Sequence, residues 1–152
     1  MLEKFEVSFN SPQCGWMSIG FKNSENEFNS TTAHAPYKQV LSEILQILTS
    51  LLKFEEFEQV VKWNRNPEEF DFYFAKIGDE VRFELYQYPT NERLEKELCF
   101  AHIGDIQEFC ESFYDTFSQL YEARETDEFD ANWHQPFPFE DFKNFEIALV
   151  KK

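Results

Sequence analysis

The chain is short of glycine, proline and long apolar runs, and each shortage excludes a class of protein. Only four Gly and six Pro occur in 152 residues, which argues against a low-complexity sequence. The apolar runs are a few residues long, far below the roughly 18 that span a bilayer, so no membrane-spanning segment is expected. Residues 1–7 lack a basic stretch followed by an apolar one, so they predict a strand and not a secretory signal.

Cysteine is also scarce, and the three that are present form no pattern. Cys14, Cys99 and Cys110 are odd in number and include no CxxC pair, which favours free thiols in a reduced, cytoplasmic protein. A chain of 152 residues is long enough to bury a core without a disulfide or a metal ion. We therefore expect a single domain over residues 1–152.

Motifs for catalysis and for metal or cofactor binding are missing. The sequence has no GxSxG, P-loop, GxGxxG or HExxH pattern. His34, His102 and His134 are far apart in the chain, and His102 alternates with Phe100 and Leu98, which is typical of a strand histidine. We expect no metal ion, no cofactor and no catalytic residue, so the chain is predicted not to be an enzyme.

Negative charge is what the chain has in excess. It contains 29 Asp and Glu against 14 Lys and Arg, a formal net charge of −15. Repulsion among like charges destabilises a compact state, so charge of this size is expected to serve a purpose. It also repels phosphate backbones and anionic lipids, which excludes nucleic acid and membrane surfaces as partners and favours a basic protein.

Hydrophobic periodicity, with 19 Phe among 152 residues, predicts an α+β fold. The expected order is β-β-α-β-β-β-β-α-α, an antiparallel sheet of about six strands with two long amphipathic helices and a short C-terminal helix on one face. The predicted strands cover residues 5–9, 16–21, 57–63, the hairpin 69–88 with a tight turn at Gly78-Asp79, and 94–103. Residues 22–32 are expected to form a loop or a ragged strand. The predicted helices cover about residues 37–54, 105–124 and 139–149.

The second predicted helix and the segment after it concentrate the acidic side chains. Glu111 and Asp115 are four residues apart on that helix, a like-charge pair that costs a few tenths of a kcal/mol. Five carboxylates follow within residues 122–130. A solvated face is the simpler interpretation; the functional one is a partner-binding surface that comprises Glu108, Glu111, Asp115, Glu122, Glu125, Asp127, Glu128, Asp130 and Trp133.

A family resemblance rests on three stretches of the chain. They are Gly15-Trp16-Met17-Ser18-Ile19 before a Leu-rich helix, Trp63 to Glu69 before a Phe-rich hairpin, and Trp133 to Pro138 near the end. In this layout the chain resembles small acidic immunity-type proteins that accompany bacterial polymorphic toxins, and related bacterial families of unknown function. The resemblance implies a cytoplasmic inhibitor that covers the active site of a toxin domain, often a basic nuclease.

The leading functional hypothesis is therefore an acidic protein-binding module, an immunity or antitoxin-like inhibitor that is a monomer or a weak homodimer. Two alternatives stay open. One is a small enzyme or ligand-binding protein with an aromatic pocket between sheet and helices. The other is a structural subunit whose acidity keeps it soluble. The partner is expected on the acidic surface or, failing that, on the open side of the sheet around Tyr73, Arg82, Tyr86 and Tyr88.

Overall fold

A computed structural model describes residues 4–54 and 56–151, which form a seven-stranded antiparallel sheet and four helices. The elements in chain order are β1 (Glu6–Phe9), β2 (Trp16–Lys22), β3 (Glu27–Ala33), α1 (Val40–Lys53), β4 (Glu56–Asn64), β5 (Glu69–Ile77), β6 (Glu80–Tyr88), β7 (Glu97–Asp105), α2 (Ile106–Ala123), α3 (Phe129–Trp133) and α4 (Phe139–Lys151).

The sheet folds over on itself between β3 and β4. Strand order follows chain order from β1 to β7, but β3 and β4 pair only through Ala33 and Asn64. Beyond that pair the strands diverge, so that β1–β3 faces the inner side of β4–β7. The ring of Phe21 in β2 lies 5.6 Å from Phe72 and 5.2 Å from Phe83, on strands β5 and β6. Phenylalanine rings therefore hold the two parts of the sheet together.

Helices α1 and α2 complete the core. Helix α1 packs against β4 and β5, and α2 packs against β1, β6 and β7, while α4 lies mainly on α1 and α2. Phe109 and Phe113 of α2 place their rings 5.7 and 6.4 Å from Phe83. Burial of a Phe side chain contributes roughly 1.5–3 kcal/mol, so these rings add several kcal/mol to the stability of the core. None of the described helices has the length and apolar character needed to cross a membrane.

Polar side chains protect the two outermost edges of the sheet. On β1 the backbone N–H of Phe9 donates to the Thr116 hydroxyl of α2 at 2.7 Å. On β7 the Asn23 side-chain amide donates to the Ala101 carbonyl at 3.0 Å. Unprotected strand edges invite pairing with other chains, and these contacts occupy backbone groups that would otherwise be open.

The prediction of an α+β fold is confirmed, but the sheet has seven strands and not about six. Residues 27–33 form a seventh strand, which pairs with β2 along its whole length. The polar sequence of these residues did not predict a regular strand. A strand is held by backbone pairing and needs few apolar side chains when only one of its faces is buried. Thr32 and Ala33 are its buried residues, and the partly buried Phe28 places its ring 5.8 Å from that of Phe70.

Strand β7 also differs from the expected pattern. Leu98, Phe100 and His102 were expected on one face, but Leu98 is 52% exposed whereas the other two are buried. A bulge explains the difference, since Leu85 pairs with Phe100 while its neighbour Tyr86 pairs with Leu98. One extra residue in β7 reverses the alternation and turns Leu98 to the open face.

The helices differ from the prediction in three places. Helix α1 begins at Val40, not near residue 37, because Tyr37 is held in the preceding loop by its hydrogen bond to Glu69 at 2.6 Å. The acidic segment after the second predicted helix, for which no helix was expected, contains α3, whose Phe129 and Trp133 are both 1% exposed. Helix α4 packs on other helices more than on the sheet.

Candidate functional site: an acidic ridge along α2

Helix α2 has one buried side and one acidic side, as its periodicity predicts. The Asp105 carboxylate accepts a hydrogen bond from the backbone N–H of Glu108 at 3.0 Å and so fixes where the helix begins. At 3.6 residues per turn, Glu108, Glu111, Asp115 and Glu122 fall within an arc of about 60°, opposite the buried side, and extend over about 21 Å of the helix. All four side chains are exposed.

The turn after α2 continues this surface. Hydrogen bonds from Asp127 N–H to the Ala123 carbonyl at 2.8 Å and from Phe129 N–H to the Arg124 carbonyl at 2.8 Å close a compact turn. The four acidic residues of this turn and of the start of α3 are exposed as well. We call the combined surface the acidic ridge; it comprises Glu108, Glu111, Asp115, Glu122, Glu125, Asp127, Glu128 and Asp130.

The ridge carboxylates have little opposing charge around them. Among the side chains of residues 4–54 and 56–150, none of the eight carboxylates forms an ion pair with a Lys or Arg. Glu111 accepts a hydrogen bond from Gln107 at 3.1 Å, and Asp127 accepts one from Ser11 at 2.6 Å. The negative charge of the ridge therefore faces the solvent with few contacts to the rest of the chain.

Asp130 differs from the other ridge residues because it has a structural role. Its carboxylate accepts a hydrogen bond from the backbone N–H of Phe137 at 2.9 Å. That contact links α3 to the segment that leads into α4. The Phe137 ring in turn packs on Phe129 at 5.4 Å. Replacing Asp130 would thus disturb the fold as well as the surface charge.

Trp133 was predicted to belong to the partner-binding surface, but the structure buries its side chain. Its side chain is 1% exposed and belongs to the core. The ring lies 6.3 Å from that of Trp63 and 6.3 Å from that of His34. Two of the residues that carry the family resemblance, Trp63 and Trp133, are thus core residues that hold α3 against the sheet.

Half-buried tyrosines lie on the side of α2 that faces α4. Tyr114 donates to the Glu146 carboxylate at 2.5 Å; this hydrogen bond raises the pKa of the Tyr114 hydroxyl and lowers the pKa of Glu146. Tyr121 packs its ring against Phe142 at 5.4 Å, and the Arg124 guanidinium lies 3.9 Å from its centre. Both tyrosines hold α4 in place, so they are not free anchors for a partner.

The open face of β4–β7 is the second candidate surface, and there the carboxylates are occupied. The hydroxyl of Tyr73 donates to Glu58, and this hydrogen bond raises the pKa of Tyr73. Tyr86 donates to Glu84 at 2.7 Å, and the hydrogen bond raises the pKa of Tyr86 in the same way. The Lys96 ammonium lies 4.3 Å from the centre of the Tyr86 ring. Glu58 and Glu84 are thus each hydrogen-bonded to a neighbouring tyrosine on this face.

A buried ion cluster closes one end of that face. Arg93 donates to Asp71 at 2.5 Å and to Glu69 at 2.9 Å, and its guanidinium lies 5.0 Å from the centre of the Tyr88 ring. Glu69 is only 3% exposed and also accepts the hydrogen bond from Tyr37. Burial is acceptable for this carboxylate because a cation and a hydroxyl both satisfy it. The cluster is structural.

Sequence reasoning missed a pair of histidines that the fold brings together. The rings of His34 and His134 are 4.5 Å apart, although 100 residues separate them in the chain. Their contact depends on Gly15, where a Cβ atom would lie 2.7 Å from His34 and 2.9 Å from His134. Burial and the neighbouring His134 lower the pKa of His34, whose Nδ1 is buried and has no hydrogen-bond partner among the described residues. No spacing in the sequence signals such a pair.

Metal and thiol chemistry find little support in the described residues. Within residues 4–54 and 56–151, no three His, Cys, Asp or Glu side chains are placed to share a metal ion. The three cysteines form no disulfide with one another, and Cys14 is exposed whereas Cys110 is buried. Burial and the adjacent Glu97 raise the pKa of Cys99, which disfavours the reactive thiolate.

Comparison with known proteins assigns neither a family nor a function to the chain. No protein-family model matches the chain, and neither a curated protein nor a solved structure shows detectable similarity to it. The resemblance to immunity-type proteins stays a prediction from the sequence.

Proposed function

We propose that this chain is an acidic protein-binding module that recognises a basic protein through the acidic ridge. The observation that carries the proposal is the exposure of all eight ridge carboxylates, with no ion pair to any residue that the structure describes. The kind of partner we propose is a basic toxin domain, which the chain would inhibit as an immunity or antitoxin-like protein in the cytoplasm. Binding alone, without a catalytic step, is the proposed activity.

Electrostatics supports a ridge of this kind as a recognition surface. A strongly negative patch accelerates encounter with a basic protein and repels other acidic proteins. A fold selected for stability alone would place a lysine at position 111 or 115, since opposite charges four residues apart stabilise a helix and like charges destabilise it. The ridge instead keeps Glu111 and Asp115 adjacent, at a cost of a few tenths of a kcal/mol.

The alternative of an enzyme with an aromatic pocket is less well supported. Such a pocket would lie between the sheet and the helices. That space holds the rings of Phe74, Phe83, Phe109 and Phe113, with centroids 5.1–6.4 Å apart. The aromatic residues that suggested a ligand pocket are used to fill the core.

The first step of the test is to find the partner, by capturing proteins from the source cells with the tagged chain at about 0.05 M salt. The second step measures association of the purified pair. Replacing both Glu111→Lys and Asp115→Lys should slow association at least tenfold and leave thermal unfolding nearly unchanged, because both side chains point to water. Raising salt from about 0.05 to 0.5 M should weaken the wild-type complex, since the screening length falls to a few ångströms.

A matched control distinguishes an effect of the ridge itself from an effect of the change in net charge. Glu92 and Glu95 are exposed in the loop between β6 and β7, outside the ridge. The double variant Glu92→Lys with Glu95→Lys changes the net charge by the same amount and should bind almost like the wild type. If the ridge variant and the high-salt complex both keep full affinity, the ridge is a solvated face. The interface must then be sought on the open sheet face around Tyr73, Arg82, Tyr86 and Tyr88.

A further inference from the structure

The edge of β4 that faces β3 lacks the protection found on the edges of β1 and β7. Strand β4 pairs with β5 at every residue from Glu56 to Asn64, but with β3 only at Asn64. No other backbone hydrogen bond joins residues 56–63 on that side to a residue that the structure describes. A strand edge of this length is a template for a further strand.

A groove borders this edge on the side of α1. A groove of about 180 Å³ lies between α1 and β4, lined on the helix by Ile47 and Ser50 and on the strand by Phe57 and Val60. Val60 is 47% exposed although it is a β-branched apolar residue in the middle of its strand. The facing edge of β3 is unpaired as well, but the residue at the middle of β3 is the polar Ser30.

The side chains of β4 are complementary to those of a second β4. Glu58, Val60 and Lys62 alternate along the strand, share the open face and are all exposed. Two copies related by a two-fold axis through Val60 place Val60 opposite Val60, and each Glu58 opposite the other copy's Lys62. Lys62 forms no ion pair with the described residues, while the Tyr73 hydroxyl holds Glu58 in position.

We infer that the chain forms a two-fold symmetric homodimer by antiparallel pairing of its β4 edges, centred on Val60. The pairing joins two folded-over sheets into one continuous sheet and satisfies the open backbone groups of both strands. The net charge of −15 per copy opposes association, but at about 0.15 M salt only charges within roughly 8 Å of the interface matter. One strand pair buries less than the roughly 1,200 Å² of a standard interface, so the dimer is weak and concentration-dependent.

The experiment is a charge swap followed by analytical ultracentrifugation of the full chain over a range of concentrations. Glu58→Lys places like charges opposite each other at both symmetric positions, and so does Lys62→Glu. Each single variant should weaken dimerisation about tenfold or more. An equimolar mixture of the two should restore it, because each introduced lysine then lies opposite an introduced glutamate. The control Lys22→Glu, an exposed residue of β2, changes net charge equally and should leave the dimer almost unaffected.

Each outcome of the charge-swap experiment either supports or overturns the β4 pairing. Thermal unfolding verifies that the variants fold. Lys62→Glu keeps the Tyr73–Glu58 hydrogen bond, so it tests the dimer by itself if Glu58→Lys is unstable. Weaker dimers for the single variants and recovery in the mixture support β4 pairing. A wild-type chain that stays monomeric at millimolar concentration overturns it. So does a dimer that tolerates both single variants, or a mixture that fails to recover.

Discussion

The acidic ridge and the open sheet face both carry carboxylates, but the two surfaces differ in whether those carboxylates are bonded to neighbouring side chains. On the ridge, Glu111 and Asp115 point to solvent without an ion pair to a described cation. On the sheet, Asp71 is bound by Arg93, and Glu84 accepts a hydrogen bond from Tyr86. On the sheet these two carboxylates are bound to neighbouring side chains, whereas on the ridge Glu111 and Asp115 stay exposed to solvent. Substitutions should therefore affect stability on one surface and binding on the other.

The largest effect is expected at Trp133, where the ridge segment meets the core. Trp133→Ala should lower the free energy of unfolding by about 3–5 kcal/mol, because it removes a large side chain that is 1% exposed. Trp16→Ala is the matched control: Trp16 is 41% exposed, and the loss should stay below about 1 kcal/mol. Urea unfolding measures both. Equal losses at the two positions would contradict the buried position of Trp133.

A smaller effect is expected from the ion cluster of the sheet face. Arg93→Ala leaves the buried Glu69 and the adjacent Asp71 without their cation and should destabilise the fold by about 2–3 kcal/mol. Arg82→Ala breaks a 3.9 Å contact with Glu84 at an exposed position, so it should cost less than about 1 kcal/mol. Guanidinium unfolding of both variants provides the comparison. A negligible change for Arg93→Ala would mean that the cluster contributes no stability.

The smallest effect is expected from the histidine pair, and it depends on pH. Burial and the neighbouring His134 lower the pKa of His34, so the folded state binds fewer protons than the unfolded state near pH 6. Stability from this group is therefore complete above the unfolded value of 6.5 and declines as pH falls below it. Unfolding free energies measured between about pH 7.5 and pH 5.5 should show the decline, and His34→Asn should reduce it. An unchanged slope in that variant would exclude His34 as its source.

Much of the fold could be predicted from local patterns. The alternation of Phe70, Phe72 and Phe74 and the Gly78-Asp79 turn predicted the β5–β6 hairpin, which the structure contains over Glu69–Ile77 and Glu80–Tyr88. Asp105 and the apolar stripe behind it predicted α2 nearly to its ends. These signals are reliable because caps, tight turns and amphipathic periodicity act within a few residues of the chain.

The candidate site could be predicted in part for the same reason. A single helix fixes the relative directions of Glu108, Glu111 and Asp115, so the sequence alone places them on one side of α2. Trp133 lies beyond that helix, and its direction depends on how α3 docks against the sheet. Its burial among Trp63 and His34 could not be predicted from spacing.

By itself, the sequence determined the charge of this protein, its Phe-rich core, the periodicity of its long helices and the acidic side of α2. Only the tertiary structure decided that the sheet folds over between β3 and β4, that β4 keeps an open edge, and that His34 meets His134. The reason is physical: helix faces and turns are set by interactions between near neighbours in the chain. Strand pairing, burial and contacts between distant side chains depend on how the whole chain packs around its core.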